Sequence, residues 1–296
     1  MLKTNVLLVA TALALAVAVP ATAHRAWFVP STTILSDVGS FITVDAAISN
    51  DLFYADHQPM NTDGVKVWAP DGSSGGAIQN VARGKYRSTF DVEINKPGTW
   101  RIGTMDSNVG GTFKVGGEDW SVGRRRGPPG AMAGAGPAGG PPRPAGAPIR
   151  AVATVAEIPA DATDVKLSET LSRNEFYVTA GSPTKTIFAA TGKGLEMVPE
   201  THPDELVANE KGRFRFLIEG KPAADLKVLV VPGGKRFRAG EDAQELKTGA
   251  DGIVTVSWPV AGIYWINATA SDANSTVPRA TQRRMSFTAT VEVPAP

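Results

Sequence analysis

Arg213-Phe214-Arg215-Phe216-Leu217 alternates charged and apolar side chains. Successive side chains of a β-strand point to opposite faces, so this stretch predicts a strand with one buried and one solvated face. Similar runs of β-branched and aromatic residues recur between Gly, Pro, Asn and Asp clusters, which predicts an all-β protein. Asp161–Ser172 is expected to hold a short helix at most. The candidate strands are Phe41–Ile48, Val65–Ala69, Ser88–Ile94, Thr99–Thr104, Arg213–Ile218, Leu226–Val231, Gly252–Trp258, Ile263–Ala268 and Met285–Val293.

A weak internal repeat indicates two similar modules. Pro97-Gly98-Thr99-Trp100-Arg101-Ile102 matches Gly262-Ile263-Tyr264-Trp265-Ile266, and in each a turn leads into a strand that carries a tryptophan. The turn glycine permits a positive φ, and the tryptophan buries a large apolar area against an opposite sheet. This pattern is typical of immunoglobulin-like sandwiches, and we expect Trp100 and Trp265 to lie in the two cores.

Two segments differ in composition from the strands of these modules. Residues 1–23 have the features of a secretory signal, with Lys3, an apolar run over 6–19 and the small-residue cleavage site Ala21-Thr22-Ala23. Residues 123–149 are rich in glycine and proline and include Arg124-Arg125-Arg126, so we expect a disordered insertion. The predicted organisation is a signal peptide over 1–23, a first β-sandwich module over 24–192 that contains the insertion, and a second module over 193–296.

Composition excludes several function classes. The chain has 30 Lys and Arg against 29 Asp and Glu, a balance that argues against nucleic-acid binding. It has no cysteine, which excludes disulfides and thiolate chemistry. After signal cleavage no apolar stretch is long enough to span a membrane. Neither a Gly-x-Ser-x-Gly elbow nor a distinct pair of glycosidase carboxylates is evident, so we expect no enzyme. Because the predicted signal peptide would export the chain, we expect the protein in the periplasm.

The histidines are the residues most able to carry chemistry. The chain has only three, His24, His57 and His202. Cleavage after Ala23 would leave His24 with a free α-amino group, and the amine and imidazole of one residue can chelate a single ion. Imidazole ligands suit Cu(II), Ni(II), Co(II) and Zn(II), whereas Cu(I) prefers sulfur, which Met60 could supply. We therefore predict His24, His57 and His202 as metal ligands; Asp56 or Glu200 would take outer or weak positions.

Several segments of the mature chain resemble one bacterial family, the domain of unknown function numbered 4198. These are 23–30 (Ala-His-Arg-Ala-Trp-Phe-Val-Pro), 48–54 (Ile-Ser-Asn-Asp-Leu-Phe-Tyr), 176–184 and 194–203. The resemblance implies a periplasmic protein of two immunoglobulin-like or transthyretin-like β-domains that is associated with nickel or cobalt uptake. It places His24 and His202 within family motifs and His57 near one.

Three functions remain open from the sequence. The preferred hypothesis is a periplasmic, non-catalytic protein that captures or hands on nickel, cobalt or copper, with a membrane transporter or outer-membrane receptor as partner. The alternative is a structural or interaction module that supports an outer-membrane receptor or binds polysaccharide, in which surface aromatics such as Tyr54 or Trp68 would matter. A third is an oxidative copper enzyme, which needs an open coordination position.

Overall fold

A computed structural model of the chain describes residues 24–123 and 150–296. Its strands are β1 Arg25–Pro30, β2 Ile34–Leu35, β3 Ser40–Ser49, β4 Gln58–Pro59, β5 Val65–Trp68, β6 Gln79–Arg83, β7 Ser88–Ile94, β8 Gly98–Val115, β9 Glu118–Val122, β10 Arg150–Val152, β11 Thr163–Ala180, β12 Leu195–Pro199, β13 Lys211–Ile218, β14 Lys221–Pro222, β15 Lys227–Pro232, β16 Gln244–Lys247, β17 Ile253–Ser257, β18 Gly262–Asp272 and β19 Ala280–Val293. Short 3₁₀ helices cover Val155–Glu157, Thr186–Phe188, Pro203–Glu205 and Lys235–Phe237. Within these described ranges no helix has the length and apolar character needed to cross a membrane.

The strands form three sheets, and the largest is shared by the two halves of the chain. A ten-stranded sheet has the main order β10-β9-β8-β11-β19-β18-β15-β16. A five-stranded sheet (β1-β3-β7-β6, with β4 beside β3) and a four-stranded sheet (β12-β13-β14, with β17 beside β13) complete the fold. The parallel pairing of β11 with β19 joins the halves through backbone hydrogen bonds. The two modules therefore meet along one continuous sheet.

Two main hydrophobic cores correspond to two sandwiches. The first core contains Phe28, Phe90 and Trp100 and draws on residues 28–180. The second contains Phe214 and Trp258 and draws mainly on residues 187–293, with Tyr177 from β11. Alternate residues of a strand face opposite ways, which is how β11 gives Phe176 to the first core and Tyr177 to the second. The predicted all-β fold of two immunoglobulin-like sandwiches is confirmed.

A third, smaller cluster fills the junction between the modules. Trp27 of β1 and Leu52 of the loop between β3 and β4 pack with Val231 and Trp265 of the second module. The indole Nε1 of Trp265 donates a hydrogen bond to the backbone oxygen of Ala26, at 3.2 Å. The start of β1 is thus fixed against the second module as well as within its own sheet.

The structure corrects one predicted element and leaves others untested. The helix expected within Asp161–Ser172 is wrong, because residues from Thr163 onward belong to the long strand β11. Its polar sequence hid the strand, since β11 buries charged residues such as Glu169 and Arg173 in ion pairs and hydrogen bonds. The predicted signal peptide at 1–23 and nearly all of the predicted insertion, residues 124–149, lie outside the described residues. Both predicted tryptophans are buried, Trp100 in the first core and Trp265 in the junction cluster instead of the second core.

Candidate metal site at His24 and His57

The structure brings two of the three histidines together. His24 immediately precedes β1 and His57 immediately precedes β4, and both strands pair antiparallel with β3 from its two sides. In an ideal sheet two strands so placed lie about 9–10 Å apart, a gap that two histidine side chains can bridge. Their rings are stacked, with centroids 3.8 Å apart and an interplanar angle of 18°. Both side chains are exposed to solvent.

The segment that carries His24 is anchored by the residue after it. The guanidinium of Arg25 is mostly buried and forms an ion pair with Glu241 of the second module at 2.5 Å. It also donates to the backbone oxygen of Asn50 at 3.2 Å and lies 5.7 Å from the ring centroid of Trp265. Because Arg25 contacts three separate segments, the backbone at His24 is held where β1 begins.

The loop that carries His57 is anchored by hydrogen bonds at both of its ends. The Asp56 carboxylate accepts a hydrogen bond from the backbone N–H of Asn50 at 2.8 Å. Asp51 forms an ion pair with Lys235 of the second module at 2.7 Å, and this hydrogen bond raises the pKa of Lys235. Phe53 adopts a left-handed φ of 61°, which costs on the order of 1 kcal/mol and is kept here by packing against Trp27. The loop is therefore held in one conformation beside β3.

This donor set suits a transition metal. Two nitrogens bound at adjacent positions of one ion, each at about 2.0–2.1 Å, lie roughly 2.9 Å apart. Because an imidazole nitrogen binds a metal in the plane of its ring, the two nearly parallel rings would have to rotate away from their stacked arrangement before both could bind one ion. In the part of the chain that the structure describes, no three His, Cys, Asp or Glu side chains converge as a complete metal site. His24 and His57 therefore form a partial donor set that further ligands must complete.

His202 is placed differently from the other two histidines. It is only 1% exposed, and its ring packs edge-on against Phe188. Its Nδ1 accepts a hydrogen bond from the backbone N–H of Asp204 at 3.0 Å, capping the 3₁₀ helix Pro203–Glu205. Its Nε2 lies 3.1 Å from the hydroxyl of Thr99 and 3.2 Å from the backbone oxygen of Thr184. Both ring nitrogens are thus engaged within the fold.

His202 also lies far from the histidine pair. The hydroxyl that contacts its Nε2, that of Thr99, is 3.1 Å from the hydroxyl of Thr179. The backbone N–H of Thr179 in turn donates to the oxygen of Thr33, which follows β1, whereas His24 precedes it. The six extended residues of β1 span on the order of 20 Å. The structure therefore does not bring His202 into a site with His24 and His57.

Two other predicted donors are engaged elsewhere. The Glu200 carboxylate accepts hydrogen bonds from Arg213 at 2.9 Å and Arg215 at 2.7 Å, and these bonds lower its pKa. Met60 is buried in the first hydrophobic core, so its thioether faces packed side chains. Asp56 is the predicted secondary ligand that stays adjacent to the pair, although one of its oxygens is used by Asn50.

A cluster of exposed side chains lies on the loops beside the pair and was only partly anticipated. The guanidinium of Arg236 lies 4.9 Å from the ring centroid of Tyr54 and 4.8 Å from that of Phe237. Tyr54 is 48% exposed and Phe237 is 78% exposed. The sequence indicated Tyr54 but gave no sign that a loop from residue 235 onward would lie next to it. Tyr54, Arg236 and Phe237 thus form an exposed aromatic surface, the Tyr54–Arg236–Phe237 cluster.

Comparison with protein families identifies the family of this chain. The domain of unknown function DUF4198 matches residues 21–272. The chain belongs to this family. Among curated proteins, none matches the sequence of this DUF4198 protein. The predicted family is thereby confirmed, while the metal role associated with it remains a prediction.

Solved structures of diverse proteins align with most of this chain at low TM-scores. The D0-D1 domain of intimin aligns over 90% of this chain and 96% of its own, at 12% identity and a TM-score of 0.21. The human OSCAR ligand-binding domain aligns over 91% and 99%, at 10% identity and a TM-score of 0.18. Escherichia coli alpha-2-macroglobulin activated by porcine elastase aligns over 90% of this chain and 30% of its own, at 12% identity and a TM-score of 0.19. At these scores the similarities carry no argument about function.

Proposed function

We propose that this DUF4198 protein is an exported, periplasmic protein that binds a divalent transition metal, nickel, cobalt or copper, without catalysing a reaction. The observation that carries the proposal is the stacking of His24 and His57 at 3.8 Å on two anchored segments. Two exposed imidazoles so close together contribute little to packing at a surface, and in this proposal they supply two nitrogen donors of the coordination shell.

Cleavage after Ala23 would add the third nitrogen. The α-amino group of His24 would then lie on the residue whose ring already faces His57. Three nitrogens favour Cu(II) and Ni(II), which take square arrangements of nitrogen and oxygen donors. Asp56 or water would supply the remaining position. We include a membrane transporter or an outer-membrane receptor as the partner that receives or supplies the ion.

The test is a calorimetric titration of Cu(II), Ni(II), Co(II) and Zn(II) into protein that begins at His24. A second preparation with one extra residue before His24 keeps both imidazoles and blocks the amine chelate. We expect one-to-one binding that the extra residue weakens by at least about tenfold, the scale on which lost metal contacts reduce affinity. Equal and weak binding by both preparations would refute the proposal.

The second candidate function is that of an interaction module, and the Tyr54–Arg236–Phe237 cluster favours it. Exposed aromatic rings can stack on sugar rings, and the guanidinium between them would pair with a carboxylate. An acidic polysaccharide is therefore the ligand class that this surface suits. Affinity electrophoresis through a gel containing alginate tests the idea, with Tyr54→Ala and Phe237→Ala expected to abolish retardation and His57→Ala expected to preserve it.

A further inference from the structure

A groove lies where the β8–β11 pair meets the start of β12, and its volume is about 190 Å³. Its floor includes Met105 of β8, Leu171 of β11 and Leu195 of β12, and most of its exposed lining is apolar. Because β8 and β11 precede residue 193 and β12 follows it, both modules contribute to the groove. An apolar space of about 150 Å³ accommodates benzene, so this groove has room for one such ring with a short substituent.

The strand register determines which side chains face this groove. Ser107 lies opposite Leu171 in the β8–β11 pair, and Asp106 lies opposite Ser172. Paired residues share one face of a sheet, and neighbours along a strand alternate between its faces. Leu171 faces the groove, because a Cβ atom at Gly194, on the opposite wall, would lie 3.3 Å from its Cδ1. Ser107 therefore faces the groove as well, whereas the carboxylate of Asp106 is on the other face of β8.

The opposite wall carries Lys193, and its backbone is held in place by hydrogen bonds. The N–H of Lys193 donates to Glu196 Oε1 at 3.0 Å, and its carbonyl oxygen accepts a hydrogen bond from Arg173 at 2.8 Å. The next residue, Gly194, has a left-handed φ of 63°, and its N–H donates to Glu219 Oε1 at 2.8 Å. The Lys193 side chain therefore extends from a fixed point on the rim of the groove.

The rim carries one positive charge that no described residue balances. The two carboxylates nearest to the Lys193 backbone are already paired, Glu196 with Arg173 at 3.5 Å and Glu219 with Arg283 at 2.7 Å. The ammonium of Lys193 itself forms no ion pair within the described ranges. An anion that enters the groove would therefore meet an unpaired ammonium beside an apolar floor.

These features together favour one class of ligand. A ring or short chain would cover Met105, Leu171 and Leu195, and burial of that apolar area would supply most of the affinity. A carboxylate on the same molecule would accept hydrogen bonds from the Lys193 ammonium and the Ser107 hydroxyl. We propose that this groove binds a small apolar carboxylate between the two modules, at a site separate from the histidine pair.

An amide NMR titration of metal-free protein with phenylacetate tests the proposal. Phenylethanol, which is neutral, and phenethylamine, which is cationic, serve as references of similar size. We expect phenylacetate to shift the amide signals of Ser107 and Gly194 with a Kd of about 0.1–1 mM, as for a ligand of about ten non-hydrogen atoms. Phenylethanol should bind about three- to fivefold more weakly, the scale of one partly exposed ion pair, and phenethylamine more weakly still. His57→Ala should leave all three affinities unchanged, which separates this result from the metal proposal.

Matched variants distinguish the groove from general surface binding. Lys193→Gln should weaken phenylacetate binding about three- to fivefold, whereas Lys185→Gln, at an exposed lysine that does not line the groove, should leave it unchanged. Ser107→Trp fills the groove and should abolish binding, whereas Asn108→Trp adds the same bulk on the other face of β8 and should preserve it. Because Lys193 is exposed, Lys193→Gln tests the proposal even if Ser107→Trp does not fold. The proposal is overturned if the three compounds bind equally, or if Lys193→Gln or a folded Ser107→Trp binds phenylacetate as the wild type does.

Discussion

The histidine pair and His202 show how differently one residue type can be used within a single chain. His24 and His57 are exposed, stacked on each other and carried by segments that the module junction holds in place. His202 is buried, caps a short helix and contacts Thr99 through its other nitrogen. A ligand needs an accessible lone pair, whereas a structural histidine has both nitrogens engaged. Environment, more than residue type, therefore distinguishes the two roles.

The largest expected effect is the loss of folding stability when the buried His202, and not the exposed His57, is replaced by alanine. His202→Ala leaves a cavity beside Phe188 and deprives the N–H of Asp204 of its acceptor. We expect it to lower the free energy of unfolding by on the order of 3 kcal/mol, measured by urea denaturation. His57→Ala removes an exposed side chain and should change that free energy by less than about 0.5 kcal/mol. Equal losses in the two variants would contradict the assignment of a structural role to His202 alone.

When metal affinity is measured instead of stability, His57→Ala should have the larger effect and His202→Ala the smaller. His57→Ala removes a proposed ligand and should weaken Ni(II) binding at least about tenfold, measured by competition with a chromophoric chelator. His202→Ala, studied at a temperature where it stays folded, should bind Ni(II) as the wild type does. A loss of affinity in His202→Ala greater than that in His57→Ala would mean that the ligands are elsewhere.

Most of the fold could be predicted from local sequence patterns. Ser88–Ile94 is a strand with the predicted bounds, and Arg213–Ile218 lies within β13. The patterns failed at β11, whose first half presents many polar residues. Glu169 there is buried and accepts hydrogen bonds from Ser275 and Thr276. A strand that buries charge through distant partners lacks the apolar alternation on which the prediction depends.

Less of the candidate site could be predicted, because it depends on long-range pairing. The sequence indicated His24 and His57 but not that β1 and β4 flank β3 and so bring these residues together. The sequence prediction also placed His202 in the same shell, because nothing in the local sequence shows that its ring is buried against Phe188 and bonded to Thr99. The ion pair of Arg25 with Glu241 joins residues more than 200 positions apart, a contact that no local pattern reveals.

A smaller loss of stability is expected when Arg25, which links the His24 segment to the second module, is replaced. Arg25→Met keeps most of the side-chain volume but removes the ion pair with Glu241 and the hydrogen bond to Asn50. Because Glu241 is 32% exposed and can be hydrated, we expect a loss of about 1–2 kcal/mol, below that of a fully buried pair. Metal affinity should fall a few-fold, because His24 is less well positioned. Unchanged Ni(II) affinity, measured by the same chelator competition, would show that the contacts of Arg25 do not position His24 for metal binding.

The smallest effects should come from the two carboxylates that the sequence nominated as secondary ligands. Asp56→Asn keeps an oxygen acceptor for the N–H of Asn50 but removes a negative charge beside the pair, so Ni(II) affinity should fall a few-fold. Glu200→Gln should leave that affinity unchanged, since Arg213 and Arg215 engage its carboxylate. Equal losses of Ni(II) affinity in both variants would indicate a general charge effect and not a local contact.

The stability of Glu200→Gln should instead depend on pH. The hydrogen bonds from Arg213 and Arg215 lower the pKa of Glu200 in the folded protein. Their stabilisation is therefore complete above the unfolded pKa, near pH 4.5, and is lost as the pH falls through the lower folded value. Wild type should exceed Glu200→Gln by less than about 0.5 kcal/mol at pH 7, as for exposed ion pairs, and urea denaturation should show that gap closing in acid. A gap that widened as the pH fell would mean that the carboxyl is stabilised in its protonated form, which the two arginine contacts do not allow.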